Sequence, residues 1–192
     1  MPRAYCSRCR RPEGHCLCAL IPRVPSRTRV LILQHPSETE HALNTARLAH
    51  LGLPNSRLII GERFEPAPWQ ASPLPSCVLF PGEGATPLVP GGPPVQLIVL
   101  DGTWRKARKL LHVNPELAAL PRVSLPAPPP SRYRLRKAPA EGALSTIEAI
   151  VQALEILEPP ASFQPLLAPF EALIEGQIRA MGQEVYGRNH PG

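Results

Sequence analysis

A chain of 192 residues, 43% of them apolar, can bury one α/β core and a small appendage but not several domains. Its formal charge is +6 and its pI about 9.4, with arginine far outnumbering lysine. Guanidinium groups grip phosphate bidentately and stack on bases, so this balance favours a polyanion partner. A codon bias toward arginine and proline would give the same totals, so clustering matters more than the sum. No signal pattern opens the chain and no apolar run nears the roughly 20 residues of a membrane span, so a soluble cytoplasmic protein is expected.

Residues 1–24 are rich in cysteine and arginine and cannot bury a core unaided. Cys6-x2-Cys9-x6-Cys16-x-Cys18 forms two pairs of soft ligands, the spacing of a tetrahedral sulfur site that suits Zn²⁺. In a reducing compartment such clusters mean metal more often than disulfides. A closed four-sulfur site has no open coordination position, so the metal is expected to be structural and to supply folding energy. His15 is an alternative to one cysteine. Cys77, within an apolar run, reads as a core thiol.

Arg29 to Leu33 reads as a buried strand ending at Gln34-His35-Pro36. Ser37 and Glu40 are spaced as a capping box, predicting a helix through Ala42, Ala46, Leu48 and Ala49 that stops at Gly52. Arg57–Ile60 and Cys77–Phe80 are the next strands, the latter followed by Pro81-Gly82. Proline-rich stretches at 66–75, 87–94 and 126–130 read as stiff connections. Val95–Leu100 is a fourth strand. Arg132, Tyr133, Arg134, Leu135 and Arg136 alternate as in a half-exposed edge segment, with Lys137 extending the charge. Ser145 and Glu148 form a second capping box, opening a helix that Pro159-Pro160 ends. A last helix spans about 164–181.

Continuous apolar strands separated by helices indicate an α/β fold, a mostly parallel sheet covered by helices. Parallel strands would bring Gln34-His35-Pro36, Phe80-Pro81-Gly82 and Leu100-Asp101-Gly102 to one rim, where ligands bind in such sheets. Asp101 is then a general base, a group that orients a substrate N–H, or an N-cap for the helix after it; Thr103 is an equal candidate for that cap. Trp104 either stacks on a ring or packs helix to sheet. Arg105, Arg108 and Lys109 share a helix face that either grips phosphates or is merely solvated. His35 is a catalytic acid or base, an RNA contact, or a locally satisfied histidine. No glycine-rich phosphate loop is present, which argues against an NTPase or a nicotinamide enzyme.

Together these pieces resemble the DTW-domain family of tRNA-uridine aminocarboxypropyltransferases. They are the four cysteines, Gln34-His35-Pro36-Ser37-Glu38, Phe80-Pro81-Gly82, Asp101-Gly102-Thr103-Trp104 with Arg105–Lys109, and Leu144-Ser145-Thr146-Ile147-Glu148-Ala149. The resemblance implies a SPOUT-like fold with a knotted cofactor site over 25–192, behind a zinc knuckle at 1–24. It also implies that S-adenosylmethionine gives its 3-amino-3-carboxypropyl group to N3 of a tRNA uridine, U47 in single-domain bacterial members. On this resemblance Asp101 activates the uridine. Leu79, Phe80, Pro81, Gly82, Leu100, Gly102, Thr103 and Trp104 hold the adenosine part. Ser145, Thr146 and Glu148 hold the amino-acid end. Arg10, Arg11, His35, Arg105, Arg108, Lys109, Arg132, Arg134 and Arg136 hold tRNA. The alternatives are a SPOUT-like RNA methyltransferase and a non-enzymatic zinc-containing RNA-binding protein. Whether a dimer forms is left open.

Overall fold

The computed structural model describes residues 4–126, 130–133 and 143–182. Six strands form one sheet in the order β2-β1-β5-β3-β6-β4, with every pair parallel. They are β1 (Arg29–Gln34), β2 (Ser56–Ile60), β3 (Ser76–Leu79), β4 (Thr86–Pro87), β5 (Gln96–Asp101) and β6 (Arg122–Ser124). The four expected strands appear within a residue or two of their predicted bounds. The sheet gains β4 and β6, too short for an alternation to register; Pro87 is tolerated because β4 lies at the sheet edge.

Side chains alternate across β1 and β5, so each central strand feeds two cores. Val30, Ile32, Leu97 and Val99 face α1 (Thr45–Gly52), α5 (Thr146–Leu157) and α6 (Ala168–Met181). Leu31, Leu33 and Ile98 face α2 (Ala67–Gln70), α3 (Trp104–Val113) and α4 (Pro115–Ala118), meeting Trp69, Ala107, Leu111 and Leu117. Burial on both faces is why these strands read as unbroken apolar runs.

Helix α1 departs from expectation. Ser37 does not cap it: Pro36–Glu38 is a separate 3-10 turn, and the His35 ring, by accepting from Ser37 N, caps that turn instead. Asn44 is the cap of α1, accepting from Arg47 N at 3.1 Å. Gly52 is the last residue of α1, and it has close packing around it: a Cβ there would lie 2.5 Å from Leu166 Cδ2. The Ser145–Glu148 capping box opens α5 as expected. A 3-10 turn at Gln164–Leu167 leads into α6.

The cysteine segment packs on this body. Leu17 is buried in the core, Ile21 and Val24 lie against it, and Val24 N donates to Gly52 O.

Candidate active site and cysteine knuckle

Strand register sets the centre of the site. Gln34 and Asp101 are the paired last residues of β1 and β5, and β3 ends at Leu79 on the other side of β5. Two of the three expected rim segments therefore meet directly at Asp101, with the third one strand away. Asp101 is only 8% exposed. Its Oδ2 accepts from Gln34 Nε2 at 2.7 Å, and its Oδ1 accepts from Thr146 Oγ1 at 2.5 Å. Burial raises its carboxyl above the ordinary value of 3.8, and the hydrogen bonds from Thr146 and Gln34 oppose that rise. The negative charge of Glu38 adds to the rise and His41 opposes it.

The cap reading of Asp101 gives way. Thr103 caps α3, its Oγ1 accepting from Lys106 N at 3.4 Å, which leaves the carboxylate turned across the rim toward β1 and α5. Gly102 allows the sharp exit from the strand. Its φ is +155°, and a Cβ would sit 3.1 Å from Lys106 Cβ and 3.6 Å from His35 Cβ. Trp104 meets Phe80 edge to face at 5.5 Å and packs α3 against the sheet. Leu79, Leu100, Phe80, Pro81 and Gly82 lie along the same rim, and apart from Gly82 and its two chain neighbours no described atom lies within 4 Å of where a Cβ on Gly82 would stand.

Two ion-paired networks brace the rim. Lys106 Nζ meets Glu38 Oε1 at 2.6 Å, tying α3 to the 3-10 turn after β1. Glu62 joins His35 Nε2 at 2.8 Å and Lys109 Nζ at 2.7 Å. Because His35 Nδ1 accepts from Ser37 N, its Nε2 carries the proton that faces Glu62. The hydrogen bond from Lys109 is the main reason the Glu62 carboxyl lies below its ordinary range. His35 and Lys109 thus have partners within the chain. Arg105 and Arg108 are exposed on α3 and make no ion pair with a described residue.

Ser145 and Glu148 are also engaged locally. Glu148 is buried and takes Ser145 N, Ser145 Oγ, Ser131 Oγ and Arg132 N, so it pins residues 131–132 against the start of α5. Thr146 is the member of that motif that reaches Asp101. The Arg132 side chain pairs with Glu171, while Arg134, Arg136 and Lys137 lie outside the described residues.

Sequence reasoning missed Asn44. Its Oδ1 accepts from Gln34 Nε2 at 3.1 Å, and its Nδ2 donates to the carbonyls of Glu38 and Thr39. The one signal available was its place just before a helix, but the nearby Ser37–Glu40 spacing drew the cap assignment away.

The four cysteine sulfurs Cys6, Cys9, Cys16 and Cys18 all lie within 4.8 Å of one another, so the set can hold a metal ion. The closest pairs, Cys6–Cys18 at 3.6 Å and Cys9–Cys16 at 3.8 Å, are far beyond a disulfide bond. Backbone N–H groups of Cys9 and Arg8 bring the Cys6 thiol down to about 6, whereas burial and the neighbouring thiols push Cys18 up to about 12, so without an ion the four share their protons unevenly. His15 is not part of this cluster. Arg10 is exposed, whereas Arg11 is half-buried and donates to Ala42 O at 2.7 Å.

A parallel α/β sheet with a buried carboxylate at its rim, and a four-thiol cluster packed beside it, defines the class of protein. The DTW domain model matches residues 3–178. The chain is 34% identical to tRNA-uridine aminocarboxypropyltransferase 2 of Drosophila melanogaster over 191 residues, covering 92% of this chain and 76% of that protein. It is 33% identical to the protein of the same name from Macaca fascicularis, covering 98% of this chain and 68% of that one. It is 30% identical to tRNA-uridine aminocarboxypropyltransferase A of Arabidopsis thaliana, covering 82% of this chain and 74% of that one. No solved structure matches it significantly. The chain belongs to the DTW domain family.

Proposed function

We propose that this protein is a tRNA-modifying transferase that moves the 3-amino-3-carboxypropyl group of S-adenosylmethionine onto N3 of a tRNA uridine. The names of its relatives support the reaction class. The observation that carries the chemistry is Asp101. Among the described residues it is a buried carboxylate with only neutral direct partners, and beside it Gln34 Oε1 is buried with no donor. A carboxylate and an amide oxygen side by side, with the nearby lysines already held by Glu38 and Glu62, fit a cationic donor.

S-adenosylmethionine supplies an alkyl carbon activated by the adjoining sulfonium. Asp101 takes the N3 proton of the uracil, a weak acid and a poor nucleophile until that proton leaves. N3 then forms its bond to the methylene carbon, the carbon–sulfur bond breaks, and its electron pair returns to sulfur in the departing methylthioadenosine. Choice of that carbon over the methyl is a matter of orientation. Rim residues Leu79–Gly82 and Leu100–Trp104 hold the adenosine side. The start of α5 at Ser145 and Thr146, with Glu148 as its anchor, borders the amino-acid end.

In this reading the fold is SPOUT-like and knotted, the uridine is U47, and the protein works in the cytoplasm. No described helix is long and apolar enough to cross a membrane. The knuckle would hold a structural zinc ion through Cys6, Cys9, Cys16 and Cys18, whose sulfurs lie close enough together to share one ion. Arg10 and the exposed face of Arg105 and Arg108 contact tRNA phosphates.

The test is purified protein with S-adenosylmethionine and an unmodified tRNA transcript, read by mass spectrometry. A uridine heavier by the aminocarboxypropyl group, together with methylthioadenosine, is the expected result, lost when U47 is replaced. S-adenosylhomocysteine with a methylated base would show a methyltransferase instead. Absence of any saturable heat with S-adenosylmethionine would leave only an RNA-binding module.

A further inference from the structure

Between the cysteine knuckle and Asp101, side-chain hydrogen bonds meet at the short backbone stretch Ala42–Asn44: Arg11 holds one end of it, and Asn44 at the other end leads through Gln34 to Asp101. Arg11 lies between the two cysteine pairs. Its Nε donates to His15 O at 3.2 Å, and a terminal guanidinium nitrogen donates to Ala42 O at 2.7 Å, 31 residues away. Two residues beyond Ala42, Asn44 uses its whole amide. Nδ2 donates to Glu38 O and Thr39 O at 3.2 Å each, and Oδ1 accepts from Arg47 N and Gln34 Nε2 at 3.1 Å each. Gln34 is fully buried, and both hydrogens of its Nε2 are spoken for, one by Asn44 Oδ1 and one by Asp101 Oδ2.

This path fixes an orientation. If the Gln34 amide turned over, its oxygen would face Asn44 Oδ1 and the Asp101 carboxylate, an arrangement of acceptors alone. Asn44 itself cannot turn over, because its oxygen would then face two backbone carbonyls. The cost appears at Gln34 Oε1, left buried without a donor among the described residues. Burying such a group is unfavourable, so the surroundings must over-determine it.

We propose that Arg11 and Asn44 are positioning residues for Asp101: Arg11 fixes the loop at Ala42–Asn44, Asn44 fixes the Gln34 amide, and Gln34 sets the plane of the carboxylate. The proposal rests on the reading of Asp101 as the group that acts on the uridine. It gives the knuckle a task beyond holding a metal, and it moves Arg11 from tRNA contact to internal brace.

The experiment uses the full chain with metal bound and compares Arg11→Met, Asn44→Ser, Arg105→Met and Asp101→Asn. Methionine keeps the stem of Arg11 without its donors. Serine keeps an N-cap for Arg47 N but cannot reach Gln34. The expected result is a roughly tenfold to hundredfold fall in kcat for Arg11→Met and Asn44→Ser, with KM for tRNA and metal content unchanged. The acid limb of kcat moves to higher pH in Asn44→Ser, since a loosened Gln34 donates less to a carboxylate otherwise faced by Thr146, Glu38 and His41. A second readout is independent of turnover: stripping the metal speeds amide hydrogen exchange over residues 42–47 in the wild type, and Arg11→Met shows that fast exchange with metal still bound. A raised KM and a weaker salt dependence in Arg11→Met, at unchanged kcat as in Arg105→Met, would make Arg11 a tRNA contact and overturn the proposal. So would exchange over residues 42–47 that is indifferent to the metal. Wild-type kcat in Asp101→Asn refutes the reading of Asp101 itself, whereas an inactive Asp101→Asn beside normal Arg11→Met and Asn44→Ser refutes the positioning alone.

Discussion

Gln34 and Asp101 end adjacent parallel strands in register, and the buried amide of one donates to the buried carboxylate of the other at 2.7 Å. A cation there would hold the carboxylate low and inert; a neutral donor orients it and leaves it basic. Asp101→Asn is therefore expected to lower kcat by about 10²- to 10⁴-fold. Dissociation constants for S-adenosylmethionine measured by calorimetry should rise only modestly, because the shape of the rim is kept while one negative charge facing the sulfonium is lost.

The same burial makes Asp101 a cost to the fold once it ionises. Its folded pKa is raised above 3.8, so its contribution to stability is fully present below that value and is lost as pH rises through the folded pKa. Asparagine carries no such penalty. In thermal melts across pH 4 to 8, the midpoint of Asp101→Asn should rise relative to the wild type as pH increases. A difference that stays flat would show that desolvation does not govern this carboxylate. The catalytic rate should run the other way, falling at acid pH with a limb above the ordinary aspartate range.

The sequence made the rim readable because β1 and β5 are buried on both faces and their apolar runs stop at polar residues. Gln34 and Asp101 stand out as the first departures from that run. What did not read well was decided by competition among local hydrogen bonds. Ser37 and Glu40 have the spacing of a capping box, yet the His35 ring takes Ser37 N and Asn44 takes the helix start. Strand β6 is three residues long and exists through its pairing with β3 and β4, which no local pattern announces. Glu148 was legible as a cap, but its hold on Ser131 and Arg132 was not, because those residues meet it only in the folded chain.

Gly102 joins strand geometry to side-chain placement. Alanine there would adopt an unfavourable positive φ and crowd Lys106 Cβ at 3.1 Å, displacing a helix tied to Glu38. Gly102→Ala should cost about 1–3 kcal/mol in denaturant unfolding. It should also lower kcat, since the displaced residue adjoins Asp101.

Metal removal should expose the knuckle while sparing the sheet. Cys9 is 4% exposed and the segment's own apolar anchors on the core are few, so the four thiolates need an ion to stay together. With metal bound, a thiol reagent should find no fast-reacting cysteine. After chelation four should react, while Cys77, buried and with its thiol pushed up to about 11, should react only on global unfolding. Five fast thiols after chelation would mean that the sheet depends on the metal as well.

Charge on α3 divides by partner. Lys106 and Lys109 are neutralised by Glu38 and Glu62, which leaves Arg105 and Arg108 to face solvent. If that pair grips phosphate, each contact releases counterions and adds to the salt dependence of tRNA binding. Replacing Arg105 or Arg108 with Gln should weaken tRNA binding and reduce the slope of log Kd against log salt by about one per arginine. Replacing Lys109 with Gln should weaken it less, because its charge already serves Glu62. The measurement is filter binding at four or five salt concentrations. Equal slopes for all three variants and the wild type would place the tRNA on another face of the protein.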